Sequence, residues 1–354
     1  MSSEVAIRPG TPALLLAPMD GLTDAPMRAL QGEFGAFTFA VSEFVRVSSH
    51  PIPSRVFRRE IPELLNDGLT VTGLPVQVQI LGGNPELMAA SAVMACQAGA
   101  RAIDINFGCP APTVNRNDGG ATILQYPERV REIVAAVRAA APPEIPVSAK
   151  VRLGWAEVDE FDRLAEMVAD GGADWLVVHC RTKMQRYKPP IFWGKLAHAQ
   201  RTLEIPVVAN GDIWTLDDFK RCRDLTGCEH FMLGRGAIAD PGLARRIASD
   251  MGIATTCRLE SLEWIPLLDR LDHYCRQQSE RKRKKTFHRL KQWLNFAWRF
   301  GSFEEFGKIK HCRCKEELFE VLRTGAVPEC GQRCRARSRG KSSSRPSKAL
   351  AAEP

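Results

Sequence analysis

Eight short apolar or β-branched runs recur along the first two-thirds of the chain, and most are followed by a segment with helical spacing. The runs are residues 14–17, 37–41, 76–81, 102–106, 147–151, 175–179, 206–209 and 230–233. The spacing predicts helices over 85–98, 127–141, 159–170, 215–225 and 241–251. Pro85, Pro127 and Pro241 suit a first helical turn, where the missing N–H leaves no bond unmade. A short buried run taken singly fits a strand or a helix. Eight alternating units point to an α/β fold, a (β/α)8 TIM barrel, rather than an open sheet. Such a barrel takes about 250 residues. This predicts a catalytic barrel domain over 1–254.

From about residue 255 the strands stop. Residues 259–278 and 279–300 read as two helices, within a helical domain over 255–327. Along 281–299, Arg281, Lys284, His288, Lys291, Asn295 and Arg299 recur at helical spacing, opposite Leu290, Trp293, Leu294 and Ala297. A solvated face on a packing helix is one reading of that stripe. The five consecutive cations from Arg281 to Lys285 favour nucleic acid instead. After Pro328 the chain is rich in Arg, Ser and Lys, and a disordered basic tail is expected over 328–354.

The net charge is +8 and the pI about 9.0, with the positive excess concentrated from Arg270 onward. That balance favours a polyanionic partner. The eleven cysteines are an odd number, and those in the first two-thirds are widely scattered, which does not read as a disulfide framework. No secretory signal is visible at the start. No apolar run approaches the roughly 18 residues of a membrane span. A reduced, soluble, cytoplasmic protein is expected, with no membrane association, no evident protein partner and a monomeric state.

In a barrel, chemistry sits at the carboxyl ends of the strands. The polar strand-end residues are Pro18, Met19 and Asp20; Gln79; Asn106; Lys150 and Arg152; His179; Asn210, Gly211 and Asp212; and Gly234, Arg235 and Gly236. The last two groups follow the seventh and eighth runs, the usual phosphate-binding place in this fold. A phosphate site, a lysine and a strand-end glutamine together suit flavin mononucleotide, FMN. The lysine can balance negative charge on the reduced ring, and the amide of Gln79 can bond its pyrimidine edge. A structural ion pair is the competing reading for Lys150, and a satisfied core histidine for His179.

Cys109 follows Asn106 on a Gly-Pro turn. A general acid must hold its proton at neutral pH, and an ordinary thiol near pKa 8.5 does so. With no adjacent histidine, the acid role suits Cys109 better than a nucleophilic one. An inert buried cysteine is the alternative.

Residues 14 to about 300 resemble the tRNA-dihydrouridine synthases. The resemblance rests on Leu16 to Met19, Gln77 to Gln79, Asp104 to Asn106 with Gly108 to Pro110, Gly119 to Ala121, Lys150 to Arg152, His179 to Thr182, Asn210 with Gly211, and Gly234 to Gly236. The stretches 43–47, 150–155 and 289–293 are similar to the bacterial C subfamily, which implies uridine 16 of the tRNA D-loop. The resemblance implies FMN held by Pro18, Met19, Gln79, Lys150, His179, Asn210, Gly211, Asp212, Gly234 and Arg235. Asp20 is expected in the same site. It further implies Cys109 as proton donor, NADPH as reductant, and tRNA contacts from Arg46, Asn106, Arg152, Arg289 and Lys291.

Two features depart from the family pattern. Cys180 stands where glycine is expected and is expected to crowd the phosphate turn. Cys312, Cys314, Cys330 and Cys334 have no family counterpart and form a poor zinc pattern, so no metal is expected. Two other functions compete: a small-molecule FMN-dependent oxidoreductase of dihydropyrimidines or dihydroorotate, and a non-catalytic tRNA-binding barrel.

Overall fold

The computed structural model describes residues 5–301 and 303–326. Its strands are β1 (Ala13–Leu16), β2 (Phe39–Val41), β3 (Val45–Arg46), β4 (Val76–Leu81), β5 (Ile103–Asn106), β6 (Val147–Arg152), β7 (Trp175–His179), β8 (Val207–Asn210) and β9 (His230–Leu233). They run in the order β2-β1-β9-β8-β7-β6-β5-β4-β3, all parallel, and a further pairing of β2 with β4 closes the ring. The closed part is therefore an eight-stranded barrel flanked by helices, as the alternation predicts. Strand ends differ from the sequence reading by two residues at most. The two-residue β3, outside the ring on the end of β4, is too short to leave a periodic signal.

Successive side chains on a strand point to opposite faces. Leu15, Phe39, Val41, Trp175, Val177, Val208 and Met232 form one buried cluster inside the barrel. Leu14, Ile103, Ile105, Val147, Ala149, Leu176 and Val178 belong to the larger outer cluster, with the helices.

The C-terminal helices differ from the expectation. They span Trp264–Arg276, Glu280–Arg283 and Thr286–Phe300, with a turn at Lys284 and Lys285. The break falls within the run of five cations. The expected stripe is interrupted there. The apolar face of Thr286–Phe300 is as expected: Leu290, Trp293, Leu294 and Ala297 are buried. The Trp293 indole N–H donates to the Ile238 carbonyl at 2.8 Å.

Two compact units divide the chain, Met1–Phe303 and Glu304–Pro354. The helices through Phe300 thus belong to the same unit as the barrel. The second unit contains helices Phe306–Ile309 and Lys315–Thr324, with Ile309, Leu318 and Val321 buried. The tail expected over 328–354, including Cys330 and Cys334, lies outside the described residues. Among the described residues, no helix is long and apolar enough to cross a membrane.

One buried ion pair fixes the rim next to β1. Arg28 donates to both carboxylate oxygens of Glu63, at 2.8 and 2.9 Å, and to the Thr23 carbonyl at 2.7 Å. Removing one member of such a pair strands a buried charge. Arg28→Met is expected to lower unfolding free energy by about 3–5 kcal/mol, while Arg28→Met with Glu63→Leu recovers most of it. Urea unfolding followed by circular dichroism checks this. A single variant within about 1 kcal/mol of wild type would show that the pair contributes no more than a surface contact.

Candidate active site

The strand register brings the polar residues together. Asn106 lies beside Lys150, Arg152 beside His179, and His179 beside Asn210. These strand ends open into a cavity of about 850 Å³. Pro18, Met19, Asp20, Arg46, Asn106, Cys109, Lys150, Arg152, His179, Asn210, Gly211, Asp212, Gly234 and Arg235 all line it. Gln79, Arg289 and Lys291 do not.

Gln79 is fully buried in the wall beneath. Its Nε2 donates to Asp104 Oδ2 at 2.7 Å, and its Oε1 accepts from Asn106 Nδ2 at 2.8 Å. Asn106 Oδ1 accepts the backbone N–H groups of Gly108 and Cys109, each at 2.9 Å. On the other side, Ser148 Oγ donates to Asp104 Oδ1 at 2.6 Å and accepts from Gln77 Nε2 at 2.9 Å. An ionised carboxylate only accepts. Gln79 must therefore turn its NH₂ to Asp104 and its oxygen to Asn106. Asn106 must in turn give its NH₂ to Gln79 and its oxygen to the thiol loop. One carboxylate orders two amides and the position of Cys109.

Asp104 also has a charge partner. Burial pushes its carboxyl up, against the hydrogen bonds from Ser148 and Gln79 and the charge of Lys150. Burial pulls the Lys150 ammonium down, and Asp104 opposes that. Lys150 Nζ donates to Asn210 Oδ1 at 3.0 Å, and Asn210 Nδ2 to the Met232 carbonyl at 2.7 Å. Lys150 thus has a counter-charge nearby and lines the cavity at once.

His179 lines the cavity, and its Nδ1 is buried without a hydrogen-bond partner. Burial first, then the cations Arg152, Lys150, Arg181 and Arg235, hold its pKa well below the usual value, so the ring is neutral. Next to it, Gly211 has φ +119, and a Cβ there would meet the His179 ring at 3.1 Å. Only glycine fits that turn. Asp212 pairs with both Arg181 and Arg235. Cys180 does not crowd this turn: it is buried outside the cavity lining, with its Sγ on the Val178 carbonyl. Successive strand residues face opposite sides, and His179 takes the cavity side.

Two arginines expected to meet a polyanion are engaged within the protein. Arg152, only 2% exposed, donates to the carbonyls of Gly108, Thr182 and Arg186 at 2.7, 3.2 and 2.9 Å. It ties the thiol loop to the loop after β7. Arg289 donates to the carbonyls of Gly21 and Leu22 and pairs with Asp24 at 3.0 Å, bracing the loop after β1. Lys291 lies over the Phe287 ring at 5.4 Å.

Several lining residues escaped the sequence reading: Glu43 as an individual side chain, and Tyr187, Trp214, Phe296 and Phe300. Asp104 carried a visible signal, a carboxylate inside an apolar run. The aromatic residues carried none, since rings in loops or on an amphipathic helix are ordinary.

The family description "Dihydrouridine synthase (Dus)" matches residues 15–305. The chain is 44% identical over 318 residues to a tRNA-dihydrouridine(16) synthase of Aquipseudomonas alcaligenes, covering 87% of this chain and 99% of that one. It is 41% identical over 311 residues to the protein of the same name from Shewanella oneidensis, covering 87% and 96%. A third so named, from Haemophilus influenzae, is 38% identical over 310 residues, covering 86% and 97%. Among solved structures, histamine dehydrogenase from Rhizobium sp. 4-9 is similar with a TM-score of 0.50 at 14% identity. That match covers 68% of this chain and 46% of the other, a likeness of fold alone.

The thiol chemistry of this site is directly measurable. Burial pushes the Cys109 thiol up, and Arg152 and Arg46 only partly oppose it. Its alkylation by iodoacetamide, read by peptide mass mapping, should reach half its maximal rate at a pH above the range of an ordinary thiol. A plateau already at neutral pH would reveal an activated thiolate and exclude the acid role.

Proposed function

The chain belongs to the dihydrouridine synthase family, and from that premise we propose that it reduces uridine 16 of tRNA to 5,6-dihydrouridine, with FMN as its flavin and NADPH as reductant. The observation that carries this reading is a thiol, Cys109, and a buried lysine, Lys150, set at adjacent strand ends of one cavity. The names of the relatives in three bacteria support the position on the RNA.

The residues present fit FMN. The neutral His179 has an orphaned buried nitrogen in the cavity wall. Gly211 and Gly234 line the cavity without a side chain beside Asp212 and Arg235, and N–H groups of such turns can meet a phosphate. Lys150 is the cation for negative charge on the reduced ring. Pro18, Met19, Asp20 and Asn210 complete the walls. Gln79 acts from behind, through Asn106 and Asp104. When bound, FMN supplies a hydride to C6 of uracil.

Cys109 gives the balancing proton to C5. Its raised pKa keeps that proton in place at neutral pH, and Arg152 and Arg46 stabilise the thiolate left behind. Solvent then returns a proton to sulfur. A base reaches this cavity only if it is swung out of the folded RNA. Arg46 at the cavity edge, with Lys291 outside it, suits RNA phosphates, which fix register without reading sequence. Arg152, Asn106 and Arg289 support that contact by holding the loops around it.

Cys109→Ala should keep NADPH-driven flavin reduction and slow reoxidation by tRNA about 100-fold or more, the scale of a lost general acid. Stopped-flow flavin absorbance separates the two half-reactions. Reoxidation by tRNA at wild-type speed would mean that another group is the acid.

Asp104→Asn removes the carboxylate that raises the Lys150 pKa. A lysine cation is lost as pH rises through its pKa, so a lower pKa moves that loss toward acid. FMN affinity, read by flavin fluorescence quenching against pH, should therefore fall about one unit earlier than in wild type. An unmoved profile would show that Asp104 does not set the charge of Lys150.

A further inference from the structure

Four aromatic rings from three separate segments meet at one side of the cavity. Tyr187 comes from the loop after β7, Trp214 from the loop after β8, and Phe296 and Phe300 from the helix Thr286–Phe300. Trp214 and Phe300 are stacked, with centroids 5.2 Å apart and planes at 22°. Phe296 leans on Phe300 at 5.1 Å. The Arg235 guanidinium sits over three of these rings, 4.8 Å from Tyr187, 5.0 Å from Trp214 and 5.9 Å from Phe300. Asp212 holds that guanidinium at 2.8 Å. Even so, Tyr187 is 53% exposed and Phe300 47%. Tyr187 and Phe300 thus present ring surface to water at the cavity edge, where a flat group can lie against it.

We infer that the Trp214–Phe300 pair, with Tyr187 and Arg235, is a stacking ledge for the nucleotide adjacent to the uridine that enters the cavity. This rests on the proposed reduction of tRNA. The argument is one of connectivity and cost. An extruded nucleotide stays covalently joined to its neighbours, so a flanking base arrives at the cavity edge whenever the target enters. Extrusion costs a few kcal/mol in lost stacking. A ring that restacks the flanking base offsets part of that cost, by about 1–3 kcal/mol per base. Every base has a π face, so such a ledge holds the strand without demanding one sequence. The surrounding charge matches an RNA strand: Arg46 and the exposed Arg186 line the same cavity as Arg235.

The test compares steady-state kinetics of Phe300→Leu and Phe300→Trp on intact tRNA and on tRNA carrying an abasic nucleotide on either side of the target. Phe300 is half exposed, so both variants should fold. Leucine keeps apolar bulk and loses the π face, whereas tryptophan keeps both. Phe300→Leu should raise KM for intact tRNA about tenfold, within the range of one lost stack, and Phe300→Trp should restore it. On one side, the abasic substitution should raise the wild-type KM by a similar factor and add little in Phe300→Leu. Full additivity of the two losses, or an unchanged KM in Phe300→Leu, overturns the ledge. A raised KM for NADPH with an unchanged KM for tRNA overturns it too, and assigns the rings to the dinucleotide. Wild-type protein that reduces no tRNA overturns the functional reading itself. Active wild type with an indifferent Phe300→Leu overturns only the ledge.

Discussion

A carboxylate sealed inside the barrel wall governs the geometry of this site. Asp104 accepts from Gln79 and Ser148, and electrostatically faces Lys150. Buried charge is costly unless it is paired and hydrogen-bonded, and here both conditions are met by strands on either side. The consequence is order in the groups above. Asn106 has one orientation available, the thiol loop hangs from that orientation, and Lys150 keeps a counter-charge. Asn106 and the loop of Cys109 are held from below by a carboxylate whose two oxygens are both hydrogen-bonded.

The barrel interior is accordingly divided. Around β1, β2, β7, β8 and β9 it is filled by Leu15, Phe39, Val41, Trp175, Val177, Val208 and Met232, a conventional apolar packing. Across β4, β5 and β6 it is a hydrogen-bonded network of Gln77, Gln79, Asp104, Asn106 and Ser148. The apolar side holds the ring together by burial. The polar side aims groups at the cavity. Gln79, Asp104, Asn106 and Ser148 satisfy one another and so specify a single arrangement, while Gln77 Oε1 is buried without a partner.

Positive charge around the mouth does two kinds of work. Arg28, Arg152 and Arg289 are directed inward and tie loops together through carbonyls and carboxylates. Arg46 remains at the cavity wall, where a polyanion can reach it. Arginine suits the bracing role because its planar fork can bond several fixed acceptors at once. A count of cations therefore overstates the surface that meets RNA, and part of the basic character is architecture.

The sequence by itself determined the barrel, the ordinal of each strand end, the glycine turns and the place of Cys109. These are properties of period and of local turn chemistry, and both are written within a few residues of one another. The same locality explains the family resemblance, which rests on short motifs at strand ends. Only the tertiary structure decided who partners whom. Gln79 reads as a cofactor contact until register sets it between Asp104 and Asn106. Arg289 reads as an RNA contact until its helix packs beside the loop after β1. Trp214 and Phe300 give no signal at all until their segments meet. Hydrogen-bond and ring partners depend on closure of the barrel and on helix packing, which act between residues far apart in the chain. No local pattern encodes those distances.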